Sequence, residues 1–274
     1  LNCMSCCPLG GRLVDGGDQS VFSPAELACH CLLIELPQYL VLIDTGYGTG
    51  DVLQPRRRLS NAFRALLRPN LLETRTAIRQ IERLGYKASD VRHIVLTHLD
   101  FDHAGGLSDF PWASVHLLNE EEYRASTALN WLGRQRYRHE QWQQRKNWNT
   151  YSCAHGETWN GFKKVNALAG LPPEILLIPL PGHTYGHAGV AVRGKDGWLL
   201  HAGDAYFHRR ELDPIRPHCP PGLRLYQRIM EQDRESRLDT QRRIRQLKLD
   251  RSDIEIFCSH DLKEFARMAA LRER

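Results

Sequence analysis

The stretch Thr97-His98-Leu99-Asp100-Phe101-Asp102-His103-Ala104-Gly105-Gly106 follows directly on His93 to Thr97, an apolar run with the length of a short buried strand. His98, Asp100, Asp102 and His103 can all bind a metal, and they alternate with apolar Leu99 and Phe101, so a compact loop sends its ligands in more than one direction. Later strand ends supply further donors. Glu174 to Leu180 runs into Pro181-Gly182-His183, Trp198 to His201 into Gly203-Asp204, and Ile254 to Cys258 into Ser259-His260. Imidazole and carboxylate together suit zinc and its borderline neighbours, and an open coordination position lets an ion activate water. The candidates His98, Asp100, Asp102, His103, His183, Asp204 and His260 exceed the needs of one tetrahedral ion, so two divalent ions are expected. Any one of these residues alone reads as an ordinary hydrogen-bonded or capping residue; their recurrence at successive strand ends is what points to a metal centre.

Around this loop the pattern alternates between strands and helices. Cys29 to Glu35 and Tyr39 to Asp44, parted by Leu36-Pro37-Gln38, read as a hairpin ending in the turn Asp44-Thr45-Gly46. Leu71 to Leu84 has helical spacing with Gly85 as its stop, Ala113 to Leu118 is a strand, and Asn119 with the glutamates behind it starts a helix. Gly194-Lys195-Asp196-Gly197 joins Gly189 to Arg193 with Trp198 to His201 as a hairpin. A helix is expected over Asp233 to Leu247, and another from Asp261. With no repeat and no linker, the reading is one α/β domain over residues 1–274, two sheets with helices outside.

Residues 128–165 differ from the rest. Trp131, Arg134, Arg136, Arg138, Trp142, Arg145, Trp148 and Trp159 interleave basic and aromatic groups. Three readings are open: an amphipathic helix with tryptophans inward and arginines outward, a lid over the site, or a surface for nucleic acid.

The chain has 274 residues, 42% hydrophobic and 25% charged, which excludes disordered and fibrous classes. The apolar stretch from Glu174 to Gly182 falls far short of the ~20 residues of a membrane span, so no membrane association is expected. A net charge of +5 is spread over scattered arginines and does not call for a nucleic-acid partner. The 8 cysteines read as thiols in a reducing compartment, because a chain of this length buries an adequate core without disulfides. Cys3, Cys6 and Cys7 with Cys29 and Cys31 fit no standard zinc-knuckle spacing. No signal-peptide pattern opens the sequence, and a cytoplasmic location is expected.

At these residues the sequence resembles the metallo-β-lactamase superfamily, whose hallmark is His-x-His-x-Asp-His followed by a distant His, Asp and His. Here it stands as His98-x-Asp100-x-Asp102-His103, Gly182-His183-Thr184-x-Gly186-His187, Gly203-Asp204 and Ser259-His260-Asp261, with Asp44-Thr45-Gly46 matching as well. The resemblance implies a four-layered αβ/βα sandwich of two mixed sheets with metals at the sheet edges. Among the branches, the chain looks most like the N-acyl-homoserine lactonases, through Phe101-Asp102-His103-Ala104-Gly105, the HTxGH segment and His260-Asp261.

Two departures stand out. Asp100 occupies the place of the family's second histidine. If it ligates, the first ion takes His98, Asp100 and His183, the second takes Asp102, His103 and His260, and Asp204 bridges them. Three carboxylates against two divalent ions then leave one positive charge where the usual set leaves two. That favours Mn²⁺ or Fe²⁺ somewhat beside Zn²⁺. Alternatively, Asp100 ligates poorly and the first site is weakly filled. The second departure is Phe207, which stands where lactonases carry a tyrosine that polarises the substrate carbonyl; Tyr206 and His208 flank it as candidates. His187 is expected to orient its loop, and His201 to be structural. The resulting expectation is a metal-dependent hydrolase of a small-molecule ester or lactone. A metal-bound hydroxide attacks, Asp102 accepts the proton and returns it to the leaving group, and Phe101 and Phe207 flank the substrate. A thioesterase of the glyoxalase II kind, a phosphodiesterase or nuclease, and a non-catalytic metal-binding protein are the alternatives.

Overall fold

The computed structural model describes residues 1–271 except 129, 147 and 153. Eleven strands are assigned among the described residues: β1 (Leu32–Glu35), β2 (Leu40–Ile43), β3 (Val91–Val95), β4 (Ser114–Leu118), β5 (Trp148–Tyr151), β6 (Glu157–Trp159), β7 (Phe162–Ala167), β8 (Ile175–Pro179), β9 (Ala188–Arg193), β10 (Trp198–His201) and β11 (Ile254–Phe257). They form a five-stranded sheet in the order β1-β2-β3-β4-β5 and a six-stranded sheet in the order β11-β10-β9-β8-β7-β6. Each is mixed. β1 and β2 are antiparallel while β2 to β5 run parallel, and β10 and β11 are parallel within an otherwise antiparallel sheet.

Side-chain alternation along the strands builds the layers. In β2, Val41 and Ile43 join Val95, Ile175, Leu177, Val190 and Val192 in the core between the sheets. Leu40 and Leu42 point the other way, to a core shared with Ile81 of the helix Ala77–Arg83. On the far side of the second sheet, Leu200 and Ile256 pack against Ile244 and Leu247 of the helix Arg234–Asp250. The expected four-layered sandwich of two mixed sheets is the observed architecture.

Several local expectations match. The hairpin of β9 and β10 closes over Gly194 to Gly197, with Arg193 opposite Trp198. Asp233 caps the helix Arg234–Asp250, its carboxylate accepting the Ser236 N–H at 3.0 Å. Leu71 to Leu84 is not one helix: a short 3₁₀ turn, Glu73–Arg75, is followed at Thr76 by the helix Ala77–Arg83. Thr76 has extended backbone and turns its hydroxyl onto the Glu73 carbonyl, a local bond that competes with helix continuation.

The segment 128–165 departs from two of its three readings, the lid and the amphipathic helix. It is no separate lid, because β5 is an edge of the first sheet while β6 and β7 belong to the second. Nor do its tryptophans all face inward: Trp142 and Trp159 are buried, but Trp131 is exposed. Arg136, expected outside, is among the most deeply buried side chains.

At the N-terminus the Cys3 N–H donates to the Cys29 carbonyl, laying that segment along residues 27–30. The seven described cysteines are free thiols; Cys153 lies outside the described residues. Among the described residues no helix is long and apolar enough to cross a membrane.

Candidate metal centre

The two sheets bring their strand ends together at one edge. After β3 the chain passes through Thr97 and His98 into a short helix, Phe101–Ala104, so Asp102 and His103 come from one turn while His98 and Asp100 precede it. His183 follows β8, Asp204 follows β10 and His260 follows β11. All seven side chains are buried. Glycine is needed where the loops turn. Gly203 has φ +55°, and a Cβ there would stand 2.6 Å from His187 Nε2. Gly182 has φ +134°, and a Cβ would stand 2.2 Å from the Arg237 backbone nitrogen.

His98, His103 and His260 are each aimed by a bond on the far ring nitrogen. His103 Nδ1 donates to Asp44 Oδ2 at 2.8 Å, and Asp44 also accepts the Thr97 N–H and hydroxyl. His98 Nδ1 lies 2.9 Å from Thr97 Oγ1, and His260 Nδ1 donates to the Ala28 carbonyl at 2.7 Å. These bonds leave the Nε2 lone pairs facing inward, the arrangement that metal-binding histidines require. His187 behaves as expected of an orienting residue: Nδ1 donates to the Leu180 carbonyl, and Nε2 accepts the Asp204 N–H at 2.9 Å. His201 bonds the His30 carbonyl at 2.8 Å and belongs to the framework.

The donor atoms fall into overlapping triads: His98, Asp100 and His183; His98, His103 and Asp204; Asp102, His103 and His260. Asp100 Oδ2 lies 3.3 Å from His98 Nε2 and 3.1 Å from His183 Nε2, and Asp204 Oδ2 lies 3.5 Å from His183 Nε2. On the other side, Asp204 Oδ1 lies 3.4 Å from His103 Nε2 and 3.2 Å from His260 Nε2. Asp102 stands 3.9 and 3.8 Å from the same two nitrogens. With metal–donor bonds of about 2.0–2.2 Å, the edges of a tetrahedral shell are about 3.3–3.6 Å, so these spacings suit donors around an ion. His98 Nε2, His103 Nε2 and Asp204 Oδ1 are buried without a hydrogen-bond partner. Such atoms are costly unless something else satisfies them, and a cation does. The donor set therefore fits divalent metal. Burial would raise the Asp204 carboxyl, yet the His260 and His103 rings beside it hold it well below the usual carboxylate range.

With this geometry in place, comparison with known proteins is informative. Residues 24–260 match the family model of the metallo-β-lactamase superfamily. The chain belongs to this superfamily. It is 43% identical over 257 residues to a probable metallo-hydrolase of Mycobacterium tuberculosis, covering 93% of this chain and 81% of that protein. It is 24% identical over 262 residues to an N-acyl homoserine lactonase of Bacillus cereus, covering 94% and 92%. A solved N-acyl homoserine lactone hydrolase, with N-hexanoyl-L-homoserine bound at its catalytic metal centre, superposes with a TM-score of 0.69 at 22% identity over 96% of this chain and 92% of that one. That likeness confirms the superfamily fold.

Three groups that the motif did not reveal complete the site. Glu121, at the start of the helix Asn119–Thr127, accepts the Leu99 N–H at 3.0 Å and the Thr184 hydroxyl at 2.5 Å, tying the first loop to the His183 loop. Burial pushes its carboxyl up to about 7, against the pull of those bonds. Arg136 donates from Nε to Asp100 Oδ1 and from Nη2 to His183 Nε2 at 2.7 Å. Tyr226, on the helix Pro221–Met230, packs edge-on against Phe207, ring centroids 5.7 Å apart.

The substrate-side expectations need correction in two places. Tyr206 is buried in the core of the second sheet, and its hydroxyl donates to Glu264 at 3.0 Å, so it does not face the ligands. The chain bends between Gly203 and the 3₁₀ turn Arg209–Leu212, and Tyr206 and Phe207 go to different hydrophobic clusters. Phe101 packs into the core beside Phe63, ring centroids 5.0 Å apart, and near Tyr47 at 6.1 Å. Phe207, by contrast, stacks on His260 at 5.1 Å and 14°. With Leu27, His208, Leu223 and Leu262 it lines a cavity of about 180 Å³ that His260 also borders. His208 accepts the Arg210 N–H on Nδ1, while its buried Nε2 has no partner.

Proposed function

We propose that the chain is a binuclear metallohydrolase that opens a lactone or cleaves a carboxylic ester. The observation that carries this reading is Asp204, which stands between the two groups of donors: Oδ1 lies near His103 and His260, and Oδ2 lies near His183 and His98 while also reaching His260. His98, Asp100 and His183 would hold one ion, Asp102, His103 and His260 the other, with Asp204 between them. Zinc suits this mixture of imidazole and carboxylate, with Mn²⁺ or Fe²⁺ as alternatives. When bound, the ions supply Lewis acidity and make water acidic enough to act near neutral pH.

The chain's own groups do the rest. The Asp102 carboxylate takes no hydrogen bond from a described residue, which leaves an oxygen to accept a proton from water and return it to the leaving alkoxide. Tyr226 fills the role that Phe207 cannot. Burial, then the charges of Asp102, Asp100 and Asp204, hold its phenol well above the usual range, so it stays a donor able to polarise the substrate carbonyl. The cavity beside Phe207 and His260 accommodates an acyl or aromatic portion, with His208 in its wall. Seven free thiols support a reducing, cytoplasmic setting.

A substrate panel tests the assignment: lactones and aryl esters followed by acid release, S-acyl glutathione by thiol release, and a bis-aryl phosphodiester by phenol release. Turnover of lactone or ester is expected to lead by at least about tenfold in kcat/KM, and dominance of the thioester or phosphodiester arm would replace this reading. On the best substrate, Tyr226→Phe is expected to lower kcat about a hundredfold, the lower end of the range for one lost oxyanion donor. Tyr206→Phe is expected to leave kcat unchanged while costing stability, since its hydroxyl serves Glu264. The opposite pattern would exchange the two roles.

A further inference from the structure

Asp100 brings a negative charge to a position where an imidazole would bring none, and the structure places a cation directly against it. Arg136 closes the short helix Trp131–Arg136, and its guanidinium is held on every nitrogen. Nε donates to Asp100 Oδ1, Nη1 to the Met230 carbonyl at 2.6 Å, and Nη2 to His183 at both the carbonyl, 3.3 Å, and Nε2, 2.7 Å. The two side chains are 2% and 4% exposed, so this is no surface pair and Arg136 cannot turn to meet a substrate. The division of labour at Asp100 is explicit. Oδ1 is taken by Arg136, and Oδ2 faces His98 Nε2 and His183 Nε2.

Building on the binuclear reading, we propose that Arg136 is the positioning residue that makes Asp100 a working ligand in place of a histidine. By occupying Oδ1 it presents the carboxylate through a single oxygen, as an imidazole presents a single nitrogen. Its positive charge offsets the negative charge that aspartate adds, returning the two-ion site to the net charge of the usual ligand set. A fixed guanidinium suits this better than a lysine ammonium, because its planar fork spans Asp100, His183 and the Met230 carbonyl at once. Asp100 and Arg136 thus form one functional exchange, made by residues far apart in the chain. The contact between Nη2 and His183 Nε2 defines the rival outcome. An imidazole nitrogen has one lone pair, so a guanidinium that used it permanently would compete with the first ion.

The test is metal binding. The unaltered protein, Arg136→Gln, Arg136→Lys, Asp100→His and Asp100→His/Arg136→Gln are dialysed, analysed for metal per chain, and titrated with Zn²⁺ against a chromophoric chelator, with thermal melts confirming the fold. Arg136→Gln is expected to keep one ion and bind the other at least about tenfold more weakly, the scale on which outer partners of metal ligands act. Arg136→Lys is expected to fall between. The double variant is expected to regain the first ion, because a neutral histidine needs no counter-cation. Unchanged or tighter binding by Arg136→Gln would overturn the proposal, the latter by making Arg136 a competitor. Should Arg136→Gln fail to fold, Asp100→His is expected to bind the first ion at least about tenfold more weakly than the double variant, and equal affinities would overturn the proposal. Absence of bound metal from the unaltered protein would instead refute the binuclear reading itself.

Discussion

Asp204→Ala is expected to abolish hydrolysis, lowering kcat/KM by at least about a thousandfold, or about 4 kcal/mol of transition-state stabilisation. The size of the effect follows from position. Oδ2 lies 3.5 Å from His183 Nε2, while Oδ1 lies within 3.4 Å of His103 Nε2 and 3.2 Å of His260 Nε2. One truncation therefore removes a carboxylate that both groups of donors would share, and bound ions would lose that anion. Metal content is expected to fall together with activity, to one ion per chain or fewer. The backbone contact to His187 Nε2 survives in alanine, because it uses the Asp204 N–H and not the carboxylate, so the loop should keep its course. An alanine variant that retained two ions and activity within tenfold of the unaltered protein would remove Asp204 from the centre.

Asp102→Asn separates proton handling from ligation. Asparagine keeps the shape and one oxygen, but its amide cannot take up a proton near neutral pH. The Asp102 carboxyl is pushed up by burial, with the Asp204 and Asp100 charges adding to the push and His103 and His260 opposing it. Loss of a positioned acid–base group typically costs 10²–10⁴-fold, and a fall of about that size in kcat is expected. Metal content should drop less than in Asp204→Ala. Substrates with better leaving groups should recover part of the loss, since they need less protonation on departure. A uniform loss across leaving groups would indicate that Asp102 acts only as a ligand.

What could be read in the sequence, and what could not, divides along physical lines. The candidate ligands sit at strand ends, where a short apolar run gives way to His or Asp, and local pattern suffices to find them. The hairpins at Leu36-Pro37-Gln38 and Gly194 to Gly197 are equally local, and so is the Asp233 cap. Arg136 was hidden because nothing in Arg134, Arg136, Arg138 and Arg145 distinguishes one arginine from the next; only the tertiary fold brings one of them to Asp100, 36 positions away. Glu121 reads as one of three successive glutamates at a helix start, and its bonds to Leu99 and Thr184 depend on how that helix packs across two loops. Asp44 was visible as a turn residue, whereas its grip on His103 spans 59 positions. Tyr226 lies outside every motif, and its contact with Phe207 depends on how its helix packs. The reading of 128–165 erred for a related reason. Its short strands lie at or next to the edges of two sheets, and strands of three to six residues carry little periodicity of their own.

The most direct test of the account is the metal content of the unaltered protein, measured by elemental analysis after purification without added metal or chelator. The account predicts close to two divalent ions per chain, with Asp100 serving as a ligand under the charge of Arg136. One ion per chain or fewer, unchanged when Zn²⁺ or Mn²⁺ is supplied in excess and then dialysed away, would contradict it.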